Sequence, residues 1–145
     1  DGIVTAATSS QRSDGASFVV LMSESKANKL GIRPIASFIS YAVAGLDPAY
    51  MGMGPVHAVQ KVMAKSGLSL DRMDVIEINE AFAVQALYCL DRLGLKATDS
   101  RVNLWGGSLA YGHPLAASGP RSSSRPFQVP RVGTGRRFRL LVSET

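Results

Sequence analysis

The chain has 145 residues, 46% hydrophobic and 19% charged, a balance that suits one domain with a buried core and excludes a disordered polypeptide. Its net charge of +5 is unevenly placed: residues 1–120 hold ten Lys/Arg against ten Asp/Glu, and residues 121–145 hold six Arg against one Glu. The excess therefore belongs to the tail, no nucleic-acid partner is expected of the neutral domain, and no apolar run approaches the roughly 18 residues of a membrane span.

A single cysteine, Cys89, permits no internal disulfide, and His57 and His113 form no spacing that would hold a metal. A reducing intracellular compartment is expected, the cytoplasm first and an organelle matrix second. The opening Asp1-Gly2-Ile3-Val4-Thr5 has neither a methionine nor a signal pattern and reads as the interior of a longer protein.

Short apolar runs alternate with helical patterns, which predicts an α/β architecture. Ala16 to Met22 has the length and composition of a strand, and Ser23 is a plausible N-cap for a helix closed by Gly31. Ile35 to Gly45 alternates as a long strand, with Ile35, Ser37, Ile39 and Tyr41 on one face. Gly54-Pro55 starts a second helix with Val56, Val59 and Met63 as its apolar stripe and Gly67 as its end.

Asp74 to Asn79 is a short strand that delivers Asn79 and Glu80 to its C-terminal end, where α/β sheets bind ligands. A third helix follows from about Ala81 to Leu93, with Phe82, Ala86, Cys89 and Leu93 on one face and Gln85, Tyr88 and Arg92 on another. Arg101 to Leu104 is a candidate strand leading into Gly106-Gly107, and a last helix is expected from Pro114. The composition then shifts to Ser122-Ser123-Ser124-Arg125-Pro126 and an arginine-rich stretch, which divides the chain into a domain over 1–121 and an atypical tail over 122–145. Phe138 to Val142 has strand composition again.

His113 is the best single candidate for chemistry. It lies between Gly112 and Pro114 at a helix start, where the helix's positive end and burial disfavour imidazolium. A neutral imidazole accepts a proton from a thiol or donates to a developing oxyanion; the alternative is a turn histidine that only caps the helix. Asn79 offers an uncharged amide to a water or carbonyl oxygen, or merely ends its strand. Glu80 orients a neighbour, or simply favours the helix N-terminus by its charge. Cys89 falls on an apolar helix face, where a thiol is inert packing rather than a nucleophile, and His57 shares a solvated face with Lys61 and Lys65.

Taken jointly, Asn79-Glu80-Ala81-Phe82-Ala83 and Gly106-Gly107-Ser108-Leu109-Ala110-Tyr111-Gly112-His113-Pro114 resemble the thiolase family. Val4-Thr5-Ala6, Ser9-Ser10, Asp14-Gly15-Ala16 and Met51-Gly52-Met53-Gly54-Pro55-Val56 extend the likeness over residues 1–121, which resemble the C-terminal half of a thiolase. The resemblance implies half of a thiolase fold, a mixed sheet of βαβαβαββ type with helices, incomplete at its C-terminal end. It implies an acyltransferase that joins or cleaves 3-ketoacyl-CoA through an acylated cysteine, with coenzyme A and acyl-CoA as substrates, no covalently bound cofactor, no metal, and a homo-oligomer when full length. By the same resemblance His113 activates the thiol and helps bind the thioester oxyanion, Asn79 positions an ordered water in an oxyanion hole that Glu80 supports, and Ser10, Ala81 and Phe82 line the pantetheine arm of coenzyme A. Asparagine at position 79, where sterol-carrier-type thiolases carry histidine, favours the acetyl-transferring or degradative branches.

The departures are specific. Neither of the family's two catalytic cysteines has a counterpart, since Cys89 is in neither place, and Ala116 stands where His-Pro-x-Gly has glycine. The helix expected after Gly119 is replaced by the Ser/Pro/Arg tail. The 145 residues are therefore expected to be inactive alone, as a fragment or truncated form, with a noncatalytic coenzyme A-binding or assembly module as the alternative.

Overall fold

A computed structural model describes residues 2–124 and 138–142 of the chain. Ser23 accepts a hydrogen bond from the Lys26 amide at 3.3 Å and opens α1 (Glu24–Lys29). Helix α2 (Gly54–Ser66) has proline in its first turn, buries Val56 and Val59, and ends at Gly67 in the left-handed conformation. Both helices begin and end at the residues their punctuation predicts.

Strand β1 (Met73–Ile78) is the centre of the core. Met73, Val75, Ile76 and Ile78 are all buried, joined by Val59 of α2 and by Leu90 of α3 (Ala83–Arg92). Burial on both faces explains why the run MDVIEI is nearly continuous in apolar residues rather than alternating. Ile76 is wholly buried, which is worth roughly 2–3 kcal/mol relative to exposure.

Two short helices follow, α4 (Ser108–Tyr111) and α5 (Leu115–Ser124), and α5 crosses the 121/122 boundary. The last described element, β2 (Phe138–Val142), pairs in parallel with β1, Ile76 opposite Leu140 and Ile78 opposite Val142. Leu140 and Val142 are buried against the same core. The arginine-rich stretch 125–137 lies outside the described residues.

Three expected strands come out differently. Arg101 to Leu104 contributes a single parallel bridge, Val102 to Ile76, because Asn103 turns to φ 44 and leaves the extended region. Ala16 to Met22 and Ile35 to Gly45 belong to no strand, Ile35 forming a bend, and their large side chains are open to solvent: Phe18 is 92% exposed and Phe38 74%. A strand is held by a neighbour's ladder, and among the described residues neither segment has one. The carbonyls of Tyr41 and Val43 instead accept from Lys65 Nζ and Lys61 Nζ of α2, at 3.4 and 3.0 Å. A cavity of about 370 Å³ lies beneath, walled by Phe38 and Tyr41 on one side and by Met63, Glu77 and Leu140 on the other.

Helix α3 also differs in its facing. Its buried residues are Gln85, Ala86, Cys89 and Leu90, so Gln85 points inward although the periodicity places it on the other face. Gln85 Nε2 reaches Cys89 Sγ at 3.6 Å, and Sγ donates to the Gly52 carbonyl at 3.2 Å, which ties α3 to the turn before α2. The helix starts at Ala83 rather than Ala81 because Phe82 is extended at φ −139 and bridges Ser9.

Candidate active site

Asn79 and Glu80 emerge at the C-terminal end of β1, as the strand pattern predicts, and the structure docks the Gly-Gly…Gly-His-Pro segment directly upon them. Glu80 is the junction. Its Oε1 accepts from Asn103 Nδ2 at 2.7 Å and its Oε2 from the Leu109 amide at 3.1 Å. Asn103 is itself clamped to β1, accepting from the Ile78 amide at 2.8 Å and donating to the Ile78 carbonyl at 3.0 Å. The Glu80 carboxylate lies over Gly107, in the space a Cβ there would fill, so glycine is required for this approach.

Asn79 is 8% exposed and its amide donates to the Val142 carbonyl at 3.0 Å. Its Oδ1 accepts from Ser108 Oγ at 2.6 Å, and Ser108 is buried.

His113 is placed from two sides. Its backbone amide donates to the Gln11 carbonyl at 2.7 Å, and its Nδ1 lies 2.6 Å from Ser118 Oγ on α5. Gly112 before it sits at φ 85 with Ser13 packed against its open side, a conformation and a clearance that suit only glycine. Burial, reinforced by the Arg121 guanidinium, lowers the His113 pKa below the usual histidine value. Arg121 is held there by a 2.9 Å hydrogen bond to the Gly112 carbonyl and by stacking 4.2 Å from the Tyr111 ring centroid.

The segment 9–12 joins the two motifs. Ser9 bridges Phe82, the Ser10 amide donates to the Ala81 carbonyl at 2.9 Å, and Arg12 bridges His113. Ser10, Ala81 and Phe82 thus lie together beside the Asn79–Glu80 corner. All six residues singled out from the sequence converge on one region.

Cys89 does not belong to it: its side chain is wholly buried in the α3 packing described above. His57 is exposed on α2. Among the described residues no group of three His, Cys, Asp or Glu is placed to hold a metal ion, and no helix is long and apolar enough to cross a membrane. Sequence reasoning gave no role to Ser108, Ser118 or Arg121. Each acts through a partner distant in sequence or across a turn, and no local pattern marks it.

What the arrangement offers is an imidazole with Nδ1 engaged and protonation disfavoured by burial, and a buried carboxamide at a strand end, joined through segment 9–12 and the Gly107–Leu109 turn. Groups of these two kinds have the chemistry of a base and of an oxyanion donor. Residues 32–128 match the family model for the C-terminal domain of thiolase, and the chain belongs to the thiolase family. It is 54% identical over 125 residues to a 3-ketoacyl-CoA thiolase of Vibrio vulnificus, an alignment covering 86% of this chain and 32% of that protein. To the 3-ketoacyl-CoA thiolase of Saccharophagus degradans it is 54% identical over 129 residues, covering 88% of this chain and 33% of that protein. The chain thus spans about a third of the length of these relatives.

Among solved structures, human mitochondrial 3-ketoacyl-CoA thiolase in complex with CoA aligns with a TM-score of 0.78 at 41% identity, over 88% of this chain and 32% of that one. The dimeric peroxisomal thiolase of Saccharomyces cerevisiae aligns with a TM-score of 0.75 at 35% identity, over 83% of this chain and 29% of that one. The α/β architecture, with its small parallel sheet and flanking helices, is part of the thiolase fold.

Proposed function

We propose that this chain supplies the base and oxyanion half of a 3-ketoacyl-CoA thiolase centre, an acyltransferase acting through an acyl-cysteine. The observation that carries the reading is the docking of the Gly-Gly…Gly-His-Pro segment on the Asn79–Glu80 corner, with Asn79 and His113 each tied at one polar end by a buried serine. His113 Nε2 takes the proton of a cysteine thiol, and the thiolate then attacks the ketone carbonyl of 3-ketoacyl-CoA. The bond between the α and β carbons breaks, the acyl group stays on sulfur, and acetyl-CoA leaves after its α-carbon regains a proton. A second coenzyme A thiolate then takes the acyl group. Asn79 stabilises the oxyanion of the thioester, Glu80 holds the corner on which Asn79 sits, and Ser10, Ala81 and Phe82 flank the pantetheine arm.

The thiol is not Cys89. Its Sγ is committed to the Gly52 carbonyl within the core, surroundings that keep a thiol protonated and inert. The 145 residues alone are therefore expected to show no thiolysis of acetoacetyl-CoA and no acyl adduct by mass spectrometry. Turnover accompanied by an acyl-Cys89 adduct overturns this reading.

The exposed Phe18, Val20, Leu21, Ile35, Phe38 and Ile39 favour a second reading, an assembly module that retains the fold and associates through those segments. Calorimetric titration with coenzyme A together with sedimentation separates the two. Coenzyme A binding supports the half-centre, and self-association without it supports the module. With its centre completed, the protein is expected to be an intracellular homo-oligomer.

A further inference from the structure

We infer that Ser108 is a positioning residue that makes Asn79 a hydrogen-bond donor only. The inference rests on the reading of Asn79 given above and adds a polarity to it. A free carboxamide both donates and accepts, so it takes a water as readily as a carbonyl oxygen. Here Oδ1 is already occupied by the Ser108 hydroxyl at 2.6 Å, and no described residue takes Nδ2. The side chain presents an NH2 and nothing else.

The hydroxyl is not engaged in ordinary local work. A serine in the first turn of a helix commonly bonds the nearby backbone, whereas Ser108 reaches a residue 29 positions away. Its neighbours fix it from both sides: Gly107 lies under the Glu80 carboxylate, and the Leu109 amide donates to Glu80 Oε2. Residues 107, 108 and 109 therefore each engage the Asn79–Glu80 corner, which holds the backbone of the serine against Asn79. Ser108 and Asn79 are 2% and 8% exposed, so water competes poorly for that bond. Such a site aims its NH2 at an oxygen acceptor, the oxygen of an ordered water or of a thioester carbonyl or enolate.

The test reads the Asn79 side chain by NMR in the full chain labelled with 13C and 15N. Ser108→Ala removes the donor, so the Asn79 13Cγ resonance moves upfield, and Ser108→Thr, which keeps a hydroxyl, restores it. An unchanged 13Cγ, or a response in 15Nδ2 instead, overturns the inference, the latter because it means the amide donates to the serine. Should Ser108→Ala fail to fold, Ser108→Cys replaces it: the weaker thiol donor gives an upfield shift of the same sign, and no shift overturns the inference.

A second arm adds acetyl-CoA carrying 13C at the thioester carbon. Its carbonyl resonance moves downfield on the unaltered chain and less on Ser108→Ala. If Asn79 responds to the substitution while the acetyl-CoA carbonyl never moves, the positioning role of Ser108 stands and the thiolase reading of Asn79 fails.

Discussion

Residues 73–113 and residues 16–45 are both rich in apolar side chains, yet only the first stretch builds a core and a site. In the first, β1 has a neighbour on each edge, β2 on one side and Val102 on the other, and the site's polar groups find partners, Asn79 in Ser108 and Val142, Glu80 in Asn103 and Leu109, His113 in Gln11 and Ser118. In the second, two segments of strand length find no partner strand among the described residues, and their large side chains stay open. Apolar composition creates a demand for burial. Meeting it takes a second surface, and the polar motifs carry theirs with them while the arms do not.

That contrast is sharpest at Ile76 and weakest on the arms. Ile76→Ala leaves a cavity at the centre of the sheet and is expected to cost about 4 kcal/mol in urea unfolding; a loss below about 1 kcal/mol would mean that β1 is not the core. Gly107→Ala forces a methyl into the Glu80 carboxylate and is expected to cost about 3 kcal/mol while shifting the Asn79 and Leu109 amide resonances together. Unshifted amides would show that the two motifs are not docked there.

Arg101→Ala tests the outer clamp of the same region. Arg101 pairs with Asp99 at 2.7 Å and donates to the carbonyls of Leu70 and Met73, and the pairing lowers the Asp99 pKa to about 2. A loss of roughly 1–2 kcal/mol is expected, since the pair is partly solvated. The stabilisation attached to Asp99 is present above about pH 4 and disappears as pH falls toward 2, so the gap between parent and variant should narrow there to what the Leu70 and Met73 carbonyl bonds contribute.

His113 has the opposite charge type and a different window. Its lowered pKa means that the folded state resists protonation, so its contribution is present above about pH 6.5 and is lost as pH falls through the lowered folded value. Unfolding midpoints should therefore drop more steeply below pH 6.5 in the parent than in His113→Gln; equal slopes would remove the buried imidazole from the account. Smallest of all, Phe18→Ser is expected to change stability by less than about 0.5 kcal/mol while reducing self-association in sedimentation. A large stability loss at Phe18 would erase the distinction between the two regions.

Much of this organisation is legible in the sequence because it is written in local rules. Ser23, Pro55 and Gly67 punctuate helices by capping and backbone preference alone, and the Asn-Glu-Ala-Phe and Gly-His-Pro motifs mark their corner through residues that few other environments require. What local rules miss are choices made by distant neighbours. Gln85 faces inward because Cys89 and the Gly52 turn surround it, and helical periodicity holds no record of them. The arms read as strands by alternation, but alternation states a preference for a pleated, half-buried surface and cannot supply the adjoining strand.

By itself, then, the sequence determined the α/β class and the limits of α1 and α2, and it singled out Cys89 as core packing and six residues as site candidates, since each follows from side-chain type, spacing or motif. Only the tertiary structure decided which ends of Asn79 and His113 are spoken for, that Glu80 and Gly107 form the joint between the motifs, and that segment 9–12 ties Phe82 to His113. The reason is physical. A hydrogen bond between residues 29 positions apart leaves no trace in either residue's own preferences, and it exists only where β1, α4 and α5 have brought their ends together.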